Sequence, residues 1–277
     1  MQGYGVTYIW IKQIQIKMKT LKITALVAVA ILTLFFTASI SPGIASGPAR
    51  TQAAHGDGFA VLELFTSEGC SSCPPADELV ARIQREAGNK PVYVLSYHVD
   101  YWNRLGWRDV FSQSQFSKRQ YWYNRLFTGQ VYTPQLIING KTEFVGSDRA
   151  AILPAIKNAL DGQSSVTLNL NAEQQGNKFK VSYRANGAPS GSQILLAVVQ
   201  KHAVSKVAKG ENEGRTLSHV QIVHNLYAFN LTASKQGSQQ IEIPAAYNTN
   251  GWEVIGLLQD PQTGVINGAA RATIAAL

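Results

Sequence analysis

The chain has 277 residues, 25 Lys and Arg against 17 Asp and Glu, a formal net charge of +8, and only two cysteines. Lys12, Lys17, Lys19 and Lys22 lie before residue 50 and no acid does, which leaves 21 basic against 17 acidic residues, a net +4, for the rest. That balance, without a Lys/Arg run interleaved with aromatics, argues against a nucleic-acid-binding protein, and two cysteines are too few for a disulfide-built scaffold.

The N-terminal segment reads as a targeting signal. Lys17, Lys19 and Lys22 flank an uncharged apolar run from Ile23 to Ile40, and Ser41-Pro42-Gly43-Ile44-Ala45-Ser46-Gly47 follows with small residues suited to cleavage after Ala45 or Ser46. We therefore expect a signal peptide over residues 1–46, with Met18 as an alternative start, and an exported product, periplasmic or secreted. The alternative is an uncleaved anchor, because the run is close to the roughly 17–20 residues that span a bilayer. In that case this segment would be the chain's only membrane contact. No cysteine follows the run to carry a lipid. Residues 47–57 read as a polar arm.

Residues 58–162 alternate strands and helices. Phe59–Thr66 is an apolar strand, and Pro74–Ala87 is a helix with Leu79, Ile83 and Ala87 four apart. Pro75 suits the first turn, where its missing N–H costs nothing. Pro91–Tyr97 is a second strand. An aromatic insert follows over 98–128, helical from Ser112 to Phe127. Pro134–Ile138 is a third strand that turns at Asn139-Gly140, a hairpin signal, into Lys141–Val145. Asp148–Leu160 is a closing helix. From 163 to 277 the pattern changes to short alternating segments separated by Gly, Asn, Ser and Pro: Val166–Leu170, Lys178–Tyr183, Ile194–Val199, His219–His224, Gln240–Ile243 and Trp252–Leu258. This half reads as an all-β, sandwich-like domain.

The chemistry concentrates in Cys70-Ser71-Ser72-Cys73, between a strand and a helix. That layout suits a thiol–disulfide centre, because unpaired N–H groups and the macrodipole at a helix start stabilise a thiolate. A disulfide closing so small a loop adds little stability, so a purely structural role is weakly motivated. It stays open nonetheless, as does a Cu(I) site made by two soft thiolates with His98. Ser71 and Ser72 are candidates to donate to a thiolate or to cap the helix. Glu68 reads as a solvated loop carboxylate or a nearby proton acceptor. His98 and Asp100 are polar exceptions at the start of the insert, suited to proton transfer or to tethering it. The insert's aromatics read as a packed core or as a groove wall. His219 and His224 are five apart, on opposite faces of a strand, and make a poor metal pair. Gly210–Thr216 fails the phosphate-loop pattern and reads as a charged turn. Nothing in the sequence calls for a cofactor, and no resident metal is expected.

The stretch Phe65-Thr66-Ser67-Glu68-Gly69-Cys70-Ser71-Ser72-Cys73-Pro74-Pro75-Ala76-Asp77, with His98-Val99-Asp100-Tyr101-Trp102, Leu105-Gly106-Trp107 and Val131-Tyr132-Thr133-Pro134-Gln135 downstream, resembles the exported DUF1223 family. The order of elements around it resembles the thioredoxin superfamily. The resemblance implies an α/β thioredoxin-like domain over 58–162, with the helical insert 98–128, followed by the β domain. It implies that Pro134 is a cis-proline facing the disulfide, that Thr133 and Tyr132 meet substrate backbone, and that Cys70 attacks while Cys73 resolves. On that reading Cys70 is partly exposed at the helix tip and Cys73 lies one turn in. An ordinary trans-proline opening a strand is the alternative for Pro134. The function implied is a thiol–disulfide oxidoreductase acting, as a monomer, on protein or peptide thiols. A binding or adaptor module without turnover and a Cu(I) carrier are the alternatives.

Overall fold

The computed structural model describes residues 56–127 and 129–274; the expected signal peptide and the arm up to residue 55 lie outside the described residues. Seven consecutive buried residues form strand β2 (Ala60–Thr66), preceded by the short β1 (Gly56–Asp57). Helix α1 (Pro74–Ala87) leads to β3 (Val92–His98), which runs parallel to β2. A 3₁₀ turn at Tyr101–Leu105 and helix α2 (Ser114–Phe127) make up the insert. The hairpin β4 (Gln135–Ile138) and β5 (Thr142–Val145) returns antiparallel to β2. Helix α3 (Arg149–Asp161) is capped by Asp148, whose carboxylate accepts from Ala151 N–H.

The remaining strands are β6 (Gln163–Ser164), β7 (Thr167–Gln175), β8 (Lys178–Asn186), β9 (Gln193–Lys206), β10 (Thr216–Asn230), β11 (Gln236–Glu242), β12 (Trp252–Gln259), β13 (Ile266–Arg271) and β14 (Thr273–Ile274). Most of them are divided between two sheets. One eight-stranded sheet runs β13-β12-β9-β10-β3-β2-β4-β5, so the strands after residue 162 continue the sheet begun before it. The seam is β10 beside β3, parallel, with Ile222 opposite Ser96. Ser96 Oγ donates to Val220 O across it, at 2.8 Å. A second sheet, β11-β8-β7-β14, packs on the far half.

Burial explains these choices. On the near half of the large sheet, α1 and α3 cover one face through Leu79, Val80, Ile83, Ile152 and Ile156. On the other face α2 inserts Phe116 and Tyr123 into a core that continues under Leu195, Val199, Ile255 and Leu257 of the far half. Ile194, Leu196, Val198, Val254 and Leu258 point the opposite way, against β7 and β8. Ile194–Val199 of β9 and Val254–Leu258 of β12 are therefore buried on both faces and read as unbroken apolar runs. Strands β7 and β8 have one wet face and alternate. Gly256 allows the two sheets to approach: a Cβ there would lie 2.4 Å from Leu170 Cδ1. Residue 162 thus marks a change of covering, helices before and a second sheet after, within one compact unit.

Candidate functional site

Cys70 and Cys73 are joined as a disulfide. Cys73 is the N-cap of α1 and not a residue inside it, and no side chain caps the helix. A helix start ordinarily leaves four N–H groups unpaired. Here two are missing altogether, at Pro74 and Pro75. Cys73 N–H donates to Cys70 O at 3.2 Å, and Ala76 N–H to Cys73 O at 2.9 Å. The free donors expected to hold a thiolate are absent, and only the dipole of the remaining helix acts. Ser72 Oγ lies 3.4 Å from Cys70 Sγ and equally 3.4 Å from Thr133 O.

Thr133 O also lies 3.8 Å from Cys70 Sγ. A disulfide sulfur has no hydrogen to give, so this contact becomes a hydrogen bond only in the dithiol. The Thr133–Pro134 peptide is cis. Its neighbourhood is fixed by the insert: Trp102 Nε1 donates to Thr133 Oγ1 at 2.8 Å, and Gln120 Nε2 to Tyr132 O at 2.7 Å. Gln120 in turn bonds Gln135 Oε1 and accepts from Tyr101 OH.

Behind the disulfide five titratable side chains are buried together: Glu68, Asp77, His98, Asp109 and His219. His98 Nδ1 is 2.6 Å from Asp109 Oδ2. His219 Nε2 is 3.5 Å from Glu68 Oε1, and its Nδ1 3.9 Å from Asp77 Oδ2. Trp107 Nε1 donates to Glu68 Oε2 at 2.7 Å, and Thr66 Oγ1 to Asp77 Oδ2 at 3.2 Å. The rings of His98 and His219 meet edge to face, with Phe111 against both. Burial pushes the Asp77 carboxyl up to about 7, against the pull of His219 and the Thr66 hydroxyl. Burial opposes the charge on Asp109 too. There the adjacent His98, with the N–H groups of Glu68 and Phe111, prevails and holds the carboxyl below its usual range. Among the described residues no group of three His, Cys, Asp or Glu is arranged to hold a metal ion.

The tip of the β9–β10 hairpin, residues 207–215, completes the site. Asn212 is fully buried and donates both amide hydrogens, to Glu68 O at 2.9 Å and Cys70 O at 2.8 Å. Glu211 Oε2 accepts from Ser71 N–H at 3.0 Å.

The model of the protein family of unknown function DUF1223 matches residues 61–259. The chain belongs to that family. A crystal structure of an Agrobacterium tumefaciens protein is similar to this DUF1223 chain at 28% identity, covering 78% of this chain and 95% of that one with a TM-score of 0.61. A domain of the outer membrane lipoprotein Omp28 from Porphyromonas gingivalis aligns at 12% identity over 40% of this chain and 88% of that one, with a TM-score of 0.29. No curated protein matches.

In this DUF1223 protein the structure brings Cys70, Cys73, Ser72 and Thr133 together. Pro134 and Tyr132 flank Thr133. Ser71 faces Glu211 at the surface, and neither serine caps the helix. Two expectations are corrected. Cys70 is as buried as Cys73, both at 0% exposure, because the disulfide turn is enclosed by Thr133 on one side and tied down by Asn212. Glu68 is no solvated loop residue: it is fully buried between Trp107 and His219. His98 lies in the buried cluster, paired with Asp109. Sequence reasoning missed Asp77, Asp109, Glu211, Asn212 and His219 as site residues. Asp77 sits inside the family stretch and was the most findable. Asn212 and His219 arrive from more than 120 residues away, through a strand pairing that carries no local signal.

Proposed function

We propose that this protein is an exported thiol–disulfide oxidoreductase acting on protein or peptide thiols through Cys70 and Cys73, on a thioredoxin-like frame. The observation that carries the proposal is the disulfide itself, formed by the chain's only two cysteines at the start of α1, with the Thr133 carbonyl 3.8 Å from Cys70 Sγ. The strand order β3-β2-β4-β5, with α1 between β2 and β3 and a cis-proline before β4, supports the frame. Export rests on the basic, apolar and small-residue regions before residue 47.

In the reaction a partner thiolate attacks Cys70 Sγ. The Cys70–Cys73 bond breaks and its electron pair leaves on Cys73, which takes a proton. A second partner thiolate then attacks the mixed disulfide at the partner's sulfur and releases Cys70. Two partner thiols become a disulfide and the protein becomes a dithiol; the reverse steps reduce a partner. Thr133 O can receive the S–H of Cys70 formed in this way. Asp77, titrating near 7 one helical turn from Cys73, is a buried proton store suited to the second sulfur. The exposed Leu105 and Val110 of the insert, with Val131 just after it, favour a polypeptide partner over a small charged one.

The test is oxidation of a dithiol peptide by the disulfide form. We expect stoichiometric exchange that Cys70→Ser abolishes, and retained exchange in that variant would sink the mechanism. The burial of both cysteines favours one other reading, an adaptor that keeps the disulfide closed. A wild-type protein that leaves the peptide reduced would select it.

A further inference from the structure

The β9–β10 hairpin tip is hydrogen-bonded to the disulfide turn at Glu68, Cys70 and Ser71. Asn212 has no exposed surface, and its amide is fully used: two hydrogens go to Glu68 O and Cys70 O, and Oδ1 accepts from Arg215 at 2.8 Å. These two carbonyls lie on either side of Gly69, so one side chain fixes the bend that delivers Cys70 to Cys73. Next to it, the Glu211 carboxylate takes the Ser71 N–H. The tip is internally hydrogen-bonded, Val207 N to Arg215 O and Gly214 N to Val207 O, both at 2.9 Å, so these contacts come from a preformed turn.

The N–H accounting at α1 makes this placement consequential. With Pro74 and Pro75 lacking N–H groups, and those of Cys73 and Ala76 engaged, few donors are left near Cys70 Sγ. The Ser71 N–H is one of the few, and Glu211 removes it while adding a negative charge. The Ser71 hydroxyl and N–H hold the Glu211 carboxyl below its usual range, so it stays ionised at neutral pH. A carboxylate beside a sulfur opposes the thiolate and favours the disulfide.

We propose that Asn212 and Glu211 are positioning residues of the redox centre: Asn212 holds the Glu68–Cys70 turn in the geometry that closes the disulfide, and Glu211 biases the pair toward the closed form by its charge. This rests on reading Cys70–Cys73 as a working redox pair, and it assigns to the second half of the chain a part in setting the equilibrium.

The experiment is a redox titration of the whole protein in dithiothreitol buffers, with the thiol content read by alkylation and mass. Dithiothreitol becomes its cyclic disulfide as its two electrons and two protons open Cys70–Cys73, so the equilibrium is read whether or not any partner is turned over. Glu211→Gln keeps an acceptor for Ser71 N–H and removes only the charge. At low salt and about pH 9, where a thiol of ordinary pKa, about 8.5, is mostly ionised in the dithiol, it should shift the equilibrium constant about threefold toward the dithiol, and the shift should vanish in about 1 M salt, where screening acts within roughly 3 Å. Asn212→Ala should shift it further in the same direction, about tenfold. Because Glu211 is exposed, its variant tests the proposal even if Asn212→Ala does not fold. An unchanged equilibrium for Glu211→Gln, or a shift that salt does not alter, overturns the electrostatic part. A folded Asn212→Ala protein with the wild-type equilibrium overturns the positioning part. A wild-type protein that ignores dithiol peptides while Glu211→Gln still shifts the titration would leave this inference standing and remove the proposed activity.

Discussion

Asp77 gives the site a pH signature that a structural disulfide does not need. Its carboxyl is raised to about 7 by burial, from 3.8. The folded chain therefore binds more protons than the unfolded chain between these values, and stability falls as pH rises through that window. Asp77→Asn cannot ionise. Its stability relative to wild type should rise from pH 4.5 to pH 8, by at most about 3 kcal/mol at 1.36 kcal/mol per pKa unit. Urea denaturation at the two pH values measures this; parallel profiles would show that Asp77 is not the group holding the proton. The other buried charge pair behaves differently. Arg119 reaches Glu63 with Nε at 2.6 Å, and Tyr123 OH and Gln259 complete the arrangement, so its charges are compensated within the fold.

At the scale of elements, the sequence is most legible where one local signal fixes one element. Asn139-Gly140 marked the hairpin, and both residues have positive φ, 49° and 63°. Asn139 uses that conformation to pair with its neighbours: its Oδ1 accepts from Val61 N–H at 2.7 Å and its Nδ2 donates to Phe59 O at 2.9 Å. Gly140 has a second reason to lack a side chain, since a Cβ would sit 1.9 Å from Gly264 O. Gly140→Ala should cost ~2 kcal/mol or more, from the left-handed conformation and this backbone clash together; thermal melting checks it, and a loss under about 0.5 kcal/mol would contradict the packing. The helix at Pro74 was legible from its prolines and periodicity, and the one at Ser114 was read two residues early, as Ser112–Phe127. Strand β13, with Asn267, Gly268, Ala269 and Ala270, carries too little β-branched or aromatic content to announce itself, and β14 is only two residues long.

For the whole molecule the least legible feature is the sheet that passes from the first half to the second. The change in pattern after residue 162 was plain, but β9 and β12 resemble independent core strands, and only the placement of β10 beside β3 reveals the shared sheet. The same pairing carries Asn212 to the disulfide turn and His219 to the buried cluster, which is why the near half of the site could be read and the far half could not. A fragment ending at residue 162 loses β10 from the β3 edge, half of the core under α2, and the ties to Glu68 and Cys70. It should not fold on its own, whereas residues 52–277 should unfold in a single transition. Circular dichroism of the two chains tests this, and a cooperatively folded short fragment would contradict the shared core.

The central claim is that Cys70–Cys73 is a working redox pair. Its most direct test is equilibration of the protein in glutathione buffers of graded poise, following the disulfide by mass after alkylation. The pair should open with a midpoint between about −120 and −270 mV, the span of thiol oxidoreductases. A disulfide still closed at poises below about −300 mV would contradict the oxidoreductase reading and leave a chain whose buried disulfide serves only its shape.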